Sequence, residues 1–488
     1  MMAAVATAAM TLGELFGSAA GDLQALEIRD LALDSRQVEP GTAFLAVSGE
    51  TNHGLDFAAD ALARGASAIV FEPSGERDEV TGPAFAVDNL KANLGSVARA
   101  FYGRDRAPLS LAGVTGTNGK STVAHLIAEA QTLRGLPCGY IGTLGSGIPP
   151  EIRAQDLTTP DCLTLHRTLR SLDVSFAAME VSSHALSQDR IAGLEFGIAA
   201  FTNLSHDHLD YHGTLEAYRD AKARLFTMPE LQVAVLFADD PVSSEIASEL
   251  DPGVKRIDVS LERETDLSAR IRRNDLHGLE LEVRTDDESS AISSPLVGGF
   301  NAANLLVALG VLKAWDIDLN EACEALSRCA GLPGRMQLLG NADTPSVVVD
   351  YAHTPDALAR ALAALRDISD GEIWCVFGCG GQRDTAKRPA MGRAAAAIAD
   401  HIVLTDDNPR DEDPGAIVSD IRAGLVSHPD VWVEHDRRRA IADAITRAKI
   451  GDMVLVAGKG HESSQTISGE VRSFRDTDVV TQVLGGLK

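Results

Sequence analysis

The stretch LAGVTGTNGKSTVAHLIAEAQ, residues 111–131, limits what this chain can fold into more than any other segment. LSLAGVTG reads as a buried strand, and STVAHLIAEAQTLRG as a helix stopped by Gly135 and Pro137. Between them lie Gly113, Gly116 and Gly119, followed by Lys120 and Ser121. A strand that turns through glycines into a helix aims backbone N–H groups and the positive end of the helix dipole at one point, which suits a phosphate. Lys120 then reaches the β- and γ-phosphates, and a hydroxyl after it suits Mg²⁺. The common phosphate-loop spacing asks for glycine where Val114 stands. The physical requirements survive that shift; the alternative is a Gly-rich turn with an exposed lysine.

The rest of the chain extends this unit. Its 488 residues exceed what one core holds. Apolar runs alternate with helical patterns, as in parallel α/β folds. The fold class expected is α/β in three domains. These are a small mixed α/β N-terminal domain (1–107), a central P-loop-type domain with a mostly parallel sheet that carries the phosphate loop (108–333), and a C-terminal Rossmann-like α/β domain (334–488). GLPGR, residues 331–335, reads as the hinge into the third. Between Lys255 and Thr285 the pattern changes to alternation, which predicts antiparallel strands on one edge.

Charge and cysteine usage exclude several classes. Seventy Asp plus Glu against 44 Lys plus Arg give a net charge of −26, a field that repels a polyanionic backbone, so no nucleic acid is expected as partner. The six cysteines form no C-x-x-C pair and sit in apolar stretches, as buried thiols of a reducing compartment do. No apolar run is long enough to span a bilayer, so no membrane insertion is expected and the chain reads as cytoplasmic.

Three clusters carry chemistry. MEVSSHALSQDR places Glu180 at the end of a buried strand, where open α/β sheets bind ligands. FTNLSHDHLDYHGTLEAYRDAKARLF holds His206, Asp207, His208, Asp210 and His212. These approach the H-x-H-x-D-H pattern of a dinuclear zinc hydrolase, but Tyr211 moves His212 off register and such an enzyme has no use for the phosphate loop. TDDNPRDEDP presents Arg410 after a proline turn, suited to gripping a carboxylate through two N–H bonds.

The G-x-x-G-x-x-G-K-S run, with Glu180, Asn203, His208, Lys222 and the D-N-P-R run, resembles the Mur ligase family of ATP-dependent amide-forming enzymes. That resemblance implies ATP held by Gly116, Thr117, Asn118, Gly119, Lys120, Ser121 and Thr122. Asn301 and Asn304, otherwise read as helix caps, would approach the adenine, and Arg335 and Asp350 the phosphate and ribose. It implies Mg²⁺ on Ser121, Glu180, His208 and Lys222, the last as a CO₂-derived carbamate; taken alone, Lys222 reads as a solvated helix lysine. Lys120, Glu180, His208 and Lys222 are the expected catalytic set.

The segment LALDSRQVEPGTAFLA resembles the N-terminal part of the enzymes that add the third peptide residue. By that resemblance Leu33, Ser35, Glu50, Thr51, Asn52, Thr158, Thr159, Ser182, Gln188 and Arg190 would bind UDP-MurNAc-L-Ala-D-Glu. Arg383, Asp407, Asn408, Pro409, Arg410, Gly458 and Glu462 would bind meso-diaminopimelate. A monomer is expected. Folylpolyglutamate synthetase shares the loop and the lysine but should lack the D-N-P-R run, and a degenerate, purely binding homologue should have lost phosphate or metal residues.

Overall fold

The computed structural model describes residues 9–49, 52–73, 80–104, 107–155, 157–340, 343–425 and 430–487. They fall into two compact units: Met1–Gly113 with Pro137–Gly197 and Asp220–Leu231, and Val114–Leu136 with Ile198–Arg219 and Gln232–Lys488.

In the first unit the strands Asp30–Ala32, Thr42–Ala46, Ala68–Phe71 and Ala84–Ala86 pair in that order, all parallel. Alternate residues of each strand feed separate cores. Leu31, Ala43, Leu45, Ala68, Val70 and Phe85 face one way; Ala32, Phe44, Ala46, Ile69 and Phe71 face the other. That two-sided burial is why TAFLA is buried throughout, and apolar from Ala43 on, rather than alternating. The unit also carries part of a large central sheet. Cys138–Gly142 pairs parallel with Phe176–Glu180, and Gly145–Ile148 returns antiparallel against it.

The second unit carries the parallel run Ile198–Phe201, Val233–Phe237, Lys255–Ser260 and Leu267–Asp275. Gly278–Arg284 and Ser289–Ser294 continue it as an antiparallel meander. The change of pattern at Lys255 therefore comes one strand too early. Lys255–Ser260 is still parallel, and it alternates because Ile257 and Val259 are buried while Arg256 and Asp258 are not.

The last sheet runs in the order Gln337–Leu339, Ser346–Asp350, Met453–Ala457, Ile373–Phe377, His401–Leu404, Val431–Val433, with only the first strand antiparallel. It too has a core on each face: Val348, Cys375, Phe377, Leu404 and Leu455 on one, Val347, Val349, Trp374, Val403 and Val456 on the other. Its parallel strands end together at Asp350, Phe377, Leu404 and Ala457, so the loops that follow share one edge. All six cysteines are buried and in the thiol form. Among the described residues no helix is long and apolar enough to cross a membrane.

Candidate active site

The strand Ser110–Thr115 enters the phosphate loop, and the helix Lys120–Leu133 leaves it. The glycine spacing has a steric cause. A Cβ on Gly116, at φ 144°, would lie 2.0 Å from Thr202 Oγ1, and one on Gly119, at φ 86°, 2.3 Å from Asn304 Oδ1. Both need glycine. Gly113 serves packing instead, since a Cβ there would press on the Phe196 ring at 2.8 Å.

The second half of the loop is clamped by Asn203. Its Oδ1 accepts from Asn118 N at 3.0 Å, its Nδ2 donates to Asn118 O at 3.0 Å, and its carbonyl takes Thr117 N at 2.8 Å. The Thr117 hydroxyl accepts from Ser205 N at 2.9 Å. Gly119 caps the helix in a left-handed conformation with no side-chain cap, leaving the first-turn N–H groups without intrahelical acceptors, as an anion site requires. Lys120 Nζ curls onto the carbonyls of Gly116 and Thr117, at 3.0 and 2.8 Å. Such a cradle fits a nucleotide phosphate.

Asn301 and Asn304 are not caps. Asn304 Nδ2 donates to Asn301 Oδ1 at 2.9 Å, and Asn301 Nδ2 to Val297 O at 2.8 Å, a polar ladder that ends on Gly119. At the end of the GLPGR segment, Arg335 Nη2 donates to Ser121 Oγ at 3.4 Å while its guanidinium lies 4.5 Å from the Tyr351 ring centroid. Asp350 accepts from the N–H of Met336 and of Ala352, at 2.7 and 2.8 Å, which fixes the chain on either side of Arg335 and Tyr351. Burial pushes the Asp350 carboxyl above its ordinary value, against the pull of Arg335.

In the first unit Glu180 is fully buried at its strand end. Its carboxylate accepts from Tyr140 Oη at 2.6 Å, Thr143 N at 2.7 Å and Thr143 Oγ1 at 3.0 Å. Thr143 Oγ1 in turn meets Thr158 Oγ1 at 3.2 Å. Thr159 donates to Glu180 O and accepts from Ser182 N. Arg190 donates to Thr159 O at 3.0 Å and to Gln188 Oε1 at 2.5 Å. Five residues picked from sequence for one substrate thus form a connected network with Glu180. Lys222 is 1% exposed on the helix Leu215–Ala223, so reading it as a solvated lysine is wrong. Ser35 is buried, with its hydroxyl on Asp60; Leu33 is partly buried and Asn52 exposed. Glu50 and Thr51 lie outside the described residues.

In the second unit His208 caps the short helix Leu209–His212 at φ 52°, with its side chain 47% exposed. Among the described residues no three His, Cys, Asp or Glu side chains converge as a dinuclear zinc centre would need.

The last sheet's shared edge gathers the D-N-P-R and G-K-G-H-E runs. Asp407 Oδ2 sits where a Cβ on Gly458 would approach to 2.6 Å. Asn408 Nδ2 donates to Glu462 Oε2 at 2.8 Å, and Gln465 holds the Asp407 carbonyl at 2.9 Å. Arg410, at φ 55°, donates from Nη1 to Gly381 O at 2.6 Å, close to exposed Arg383 on the neighbouring loop. Burial raises the Asp407 carboxyl; for Glu462 burial also raises, but Lys459, Asn408 and His461 together outweigh it and the net shift is downward.

Residues 27–102 match the model of the Mur ligase family, catalytic domain; 114–312 the Mur ligase middle domain; and 334–460 the Mur ligase, glutamate ligase domain. The chain belongs to the Mur ligase family. A relative from Pseudomonas aeruginosa, named UDP-N-acetylmuramoyl-L-alanyl-D-glutamate--2,6-diaminopimelate ligase, is 46% identical over 97% of this chain and 98% of its own. One of the same name from Xanthomonas campestris is 45% identical over 94% of each chain. A solved structure of that name superposes with a TM-score of 0.71 at 36% identity, covering 98% of this chain and 99% of its own. A folylpolyglutamate synthase from Mycobacterium tuberculosis, solved with ADP, shares the fold alone: TM-score 0.60, 19% identity, 75% of this chain and 91% of its own. As a Mur ligase the chain is an ATP-dependent ligase of three α/β domains.

Sequence reasoning about this Mur ligase missed several supporting residues. Tyr140 and Thr143 carry no motif and are found only once their strands pair, and Thr202 stood unremarked in the FTNLSHDH stretch beside Asn203. Lys459 and Tyr351 stand beside Gly458 and Asp350, which the sequence did single out; their signal was a lysine and an aromatic ring just past strand ends.

Proposed function

We propose that this protein joins meso-diaminopimelate to the D-glutamate carboxylate of UDP-MurNAc-L-Ala-D-Glu at the expense of ATP, through an acyl phosphate, in peptidoglycan precursor synthesis. The observation that carries the reading is the meeting of Arg410, Asn408, Asp407 and Glu462 at one edge of the last sheet. Cation and carboxylate lie together there, as an amino acid bearing a second carboxylate and ammonium needs.

The chemistry follows from the carboxylate, a poor electrophile until phosphorylated. Lys120 and the first-turn amides of the loop stabilise negative charge that builds on the γ-phosphate as the D-glutamate oxygen attacks it. In the present structure Lys120 spends its donors on loop carbonyls, and turning them to phosphate needs only a rotamer change. Arg335, half-committed to Ser121 and stacked on Tyr351, brings a guanidinium from the third domain to the phosphate loop. Asn301 and Asn304 approach the adenine. Thr158, Thr159, Ser182, Gln188 and Arg190 bind the sugar-peptide; Leu33, Ser35, Glu50, Thr51 and Asn52 contact its uridine end.

Mg²⁺, when bound, neutralises phosphate oxygens; Ser121, Glu180, His208 and a carbamate on Lys222 would hold it. Lys222 is buried on its helix, where Mg²⁺ would balance the negative charge of a carbamate. Arg383, Asp407, Arg410, Gly458 and Glu462 seat the diamino acid, whose neutral amine attacks the acyl phosphate. Domains at 1–107, 108–333 and 334–488 divide these tasks, in a monomer working in the cytoplasm.

The test is incubation with UDP-MurNAc-L-Ala-D-Glu, ATP and either meso-diaminopimelate or L-lysine, with mass spectrometry of the product. A diaminopimelate adduct and release of phosphate are expected. Equal joining of lysine would overturn the role given to Arg410.

A further inference from the structure

Lys459 has 0% exposure, yet it lies among the polar groups at the last sheet's edge. Its ammonium donates to Asn408 Oδ1 at 3.0 Å and to Glu462 Oε2 at 2.7 Å. Asn408 Oδ1 takes a second bond, from Thr466 N, also at 3.0 Å. An ammonium and a backbone N–H can only donate, so the oxygen of this amide must face them and its NH₂ must point the other way. That NH₂ meets Glu462 Oε2 at 2.8 Å. Oε2 therefore receives two donors, one of them charged, and Oε1 is the oxygen left for a ligand. The triangle sits on fixed backbone: Lys459 O accepts Glu462 N at 2.9 Å, and Gly458, at φ 112°, backs onto Asp407.

We propose that Lys459 is a positioning residue for the incoming diamino acid: a buried cation that orients the Asn408 amide and pins Glu462 Oε2, so that Glu462 Oε1 meets the substrate ammonium. This rests on the diamino-acid reading above and deepens it. Asn408 then acts through Glu462 rather than by touching the substrate with its amide nitrogen. A buried lysine is held in place only while its partner remains, and the partner keeps its orientation only while the lysine remains. His461, Asp407, Arg437 and Tyr351 also act on Glu462 electrostatically, while the side-chain hydrogen bonds that hold its carboxylate down come from Lys459 and Asn408.

The test uses the full-length protein with all three substrates. For Lys459→Met, KM for diaminopimelate should rise about 10- to 100-fold, the scale of a lost charge-assisted contact, with KM for ATP and for the UDP-substrate within about twofold of wild type. The acid limb of the kcat/KM profile for diaminopimelate should move to higher pH, because Glu462 without its cation holds its proton longer; a merely structural lysine would leave that limb in place. Should Lys459→Met fail to fold, the charge-balanced pair Lys459→Met with Glu462→Gln serves. Its diaminopimelate KM should match that of Glu462→Gln alone within about twofold. An unmoved acid limb with unchanged KM, or a double variant about tenfold worse than Glu462→Gln, overturns the proposal. Wild-type protein that joins no diamino acid overturns the function reading instead.

Discussion

Replacing Gly119 by alanine tests the phosphate cradle at its tightest point. The residue sits at φ 86°, where an L side chain costs about 1–2 kcal/mol. The new methyl would stand 2.3 Å from Asn304 Oδ1, so the Asn304 side chain must swing away and give up its 2.9 Å bond to Asn301, at a cost of about 1 kcal/mol. The sum, about 2–3 kcal/mol charged against the loop shape that binds phosphate, weakens ATP roughly 30- to 150-fold at 1.4 kcal/mol per decade. Calorimetric titration with a non-hydrolysable ATP analogue and Mg²⁺ measures it. Asn304→Ala alone should cost about 1 kcal/mol, and the double variant no more than Gly119→Ala, a coupling of about 1 kcal/mol. A Gly119→Ala protein that binds within about threefold of wild type, or a double variant whose loss equals the product of the singles, refutes the steric account.

Other expectations follow from the same geometry. Arg410→Lys should lower kcat/KM for diaminopimelate about 10- to 100-fold with little change in KM for ATP, since an ammonium cannot make the two-pronged contact; steady-state kinetics with each substrate varied decides it. Arg437 and Asp476 form a fully buried ion pair at 2.7 Å, so Arg437→Met alone should destabilise by about 3–5 kcal/mol and joint replacement by apolar residues by far less, read by denaturant titration. Arg388 holds the Glu412 carboxyl well below its ordinary 4.5, at about 2, through side-chain hydrogen bonds. A depressed carboxylate adds stability that is whole above pH 4.5 and is lost as pH falls toward about 2; Glu412→Gln should flatten that part of a melting-temperature curve against pH.

Much of the site was legible because its chemistry is local in sequence. The phosphate loop needs three consecutive parts, strand, turn and helix, and any chain that has them shows them in order. The D-N-P-R turn likewise carries its own geometry. What stayed hidden depends on strand pairing. Glu180 was readable as a carboxylate at a strand end, but its donors Tyr140 and Thr143 come from the neighbouring strand Cys138–Gly142 and the turn after it, about 40 positions upstream. Lys222 read alone as solvated because its helix is charged on most faces, and only packing shows which face is covered. The parallel strand at Lys255 was misread because a half-exposed parallel strand alternates just as an antiparallel one does.

By itself, then, the sequence determined the α/β class, the phosphate loop and the list of groups available for catalysis, since each rests on periodicity or on residues adjacent in the chain. Tertiary structure alone decided which glycine serves the phosphate and which the core, why Asn301 and Asn304 are a ladder rather than caps, and that Lys459 sits buried beneath Glu462. Those facts concern atoms brought within 3 Å of one another by folding, and contacts between residues far apart in the chain leave no local pattern to read.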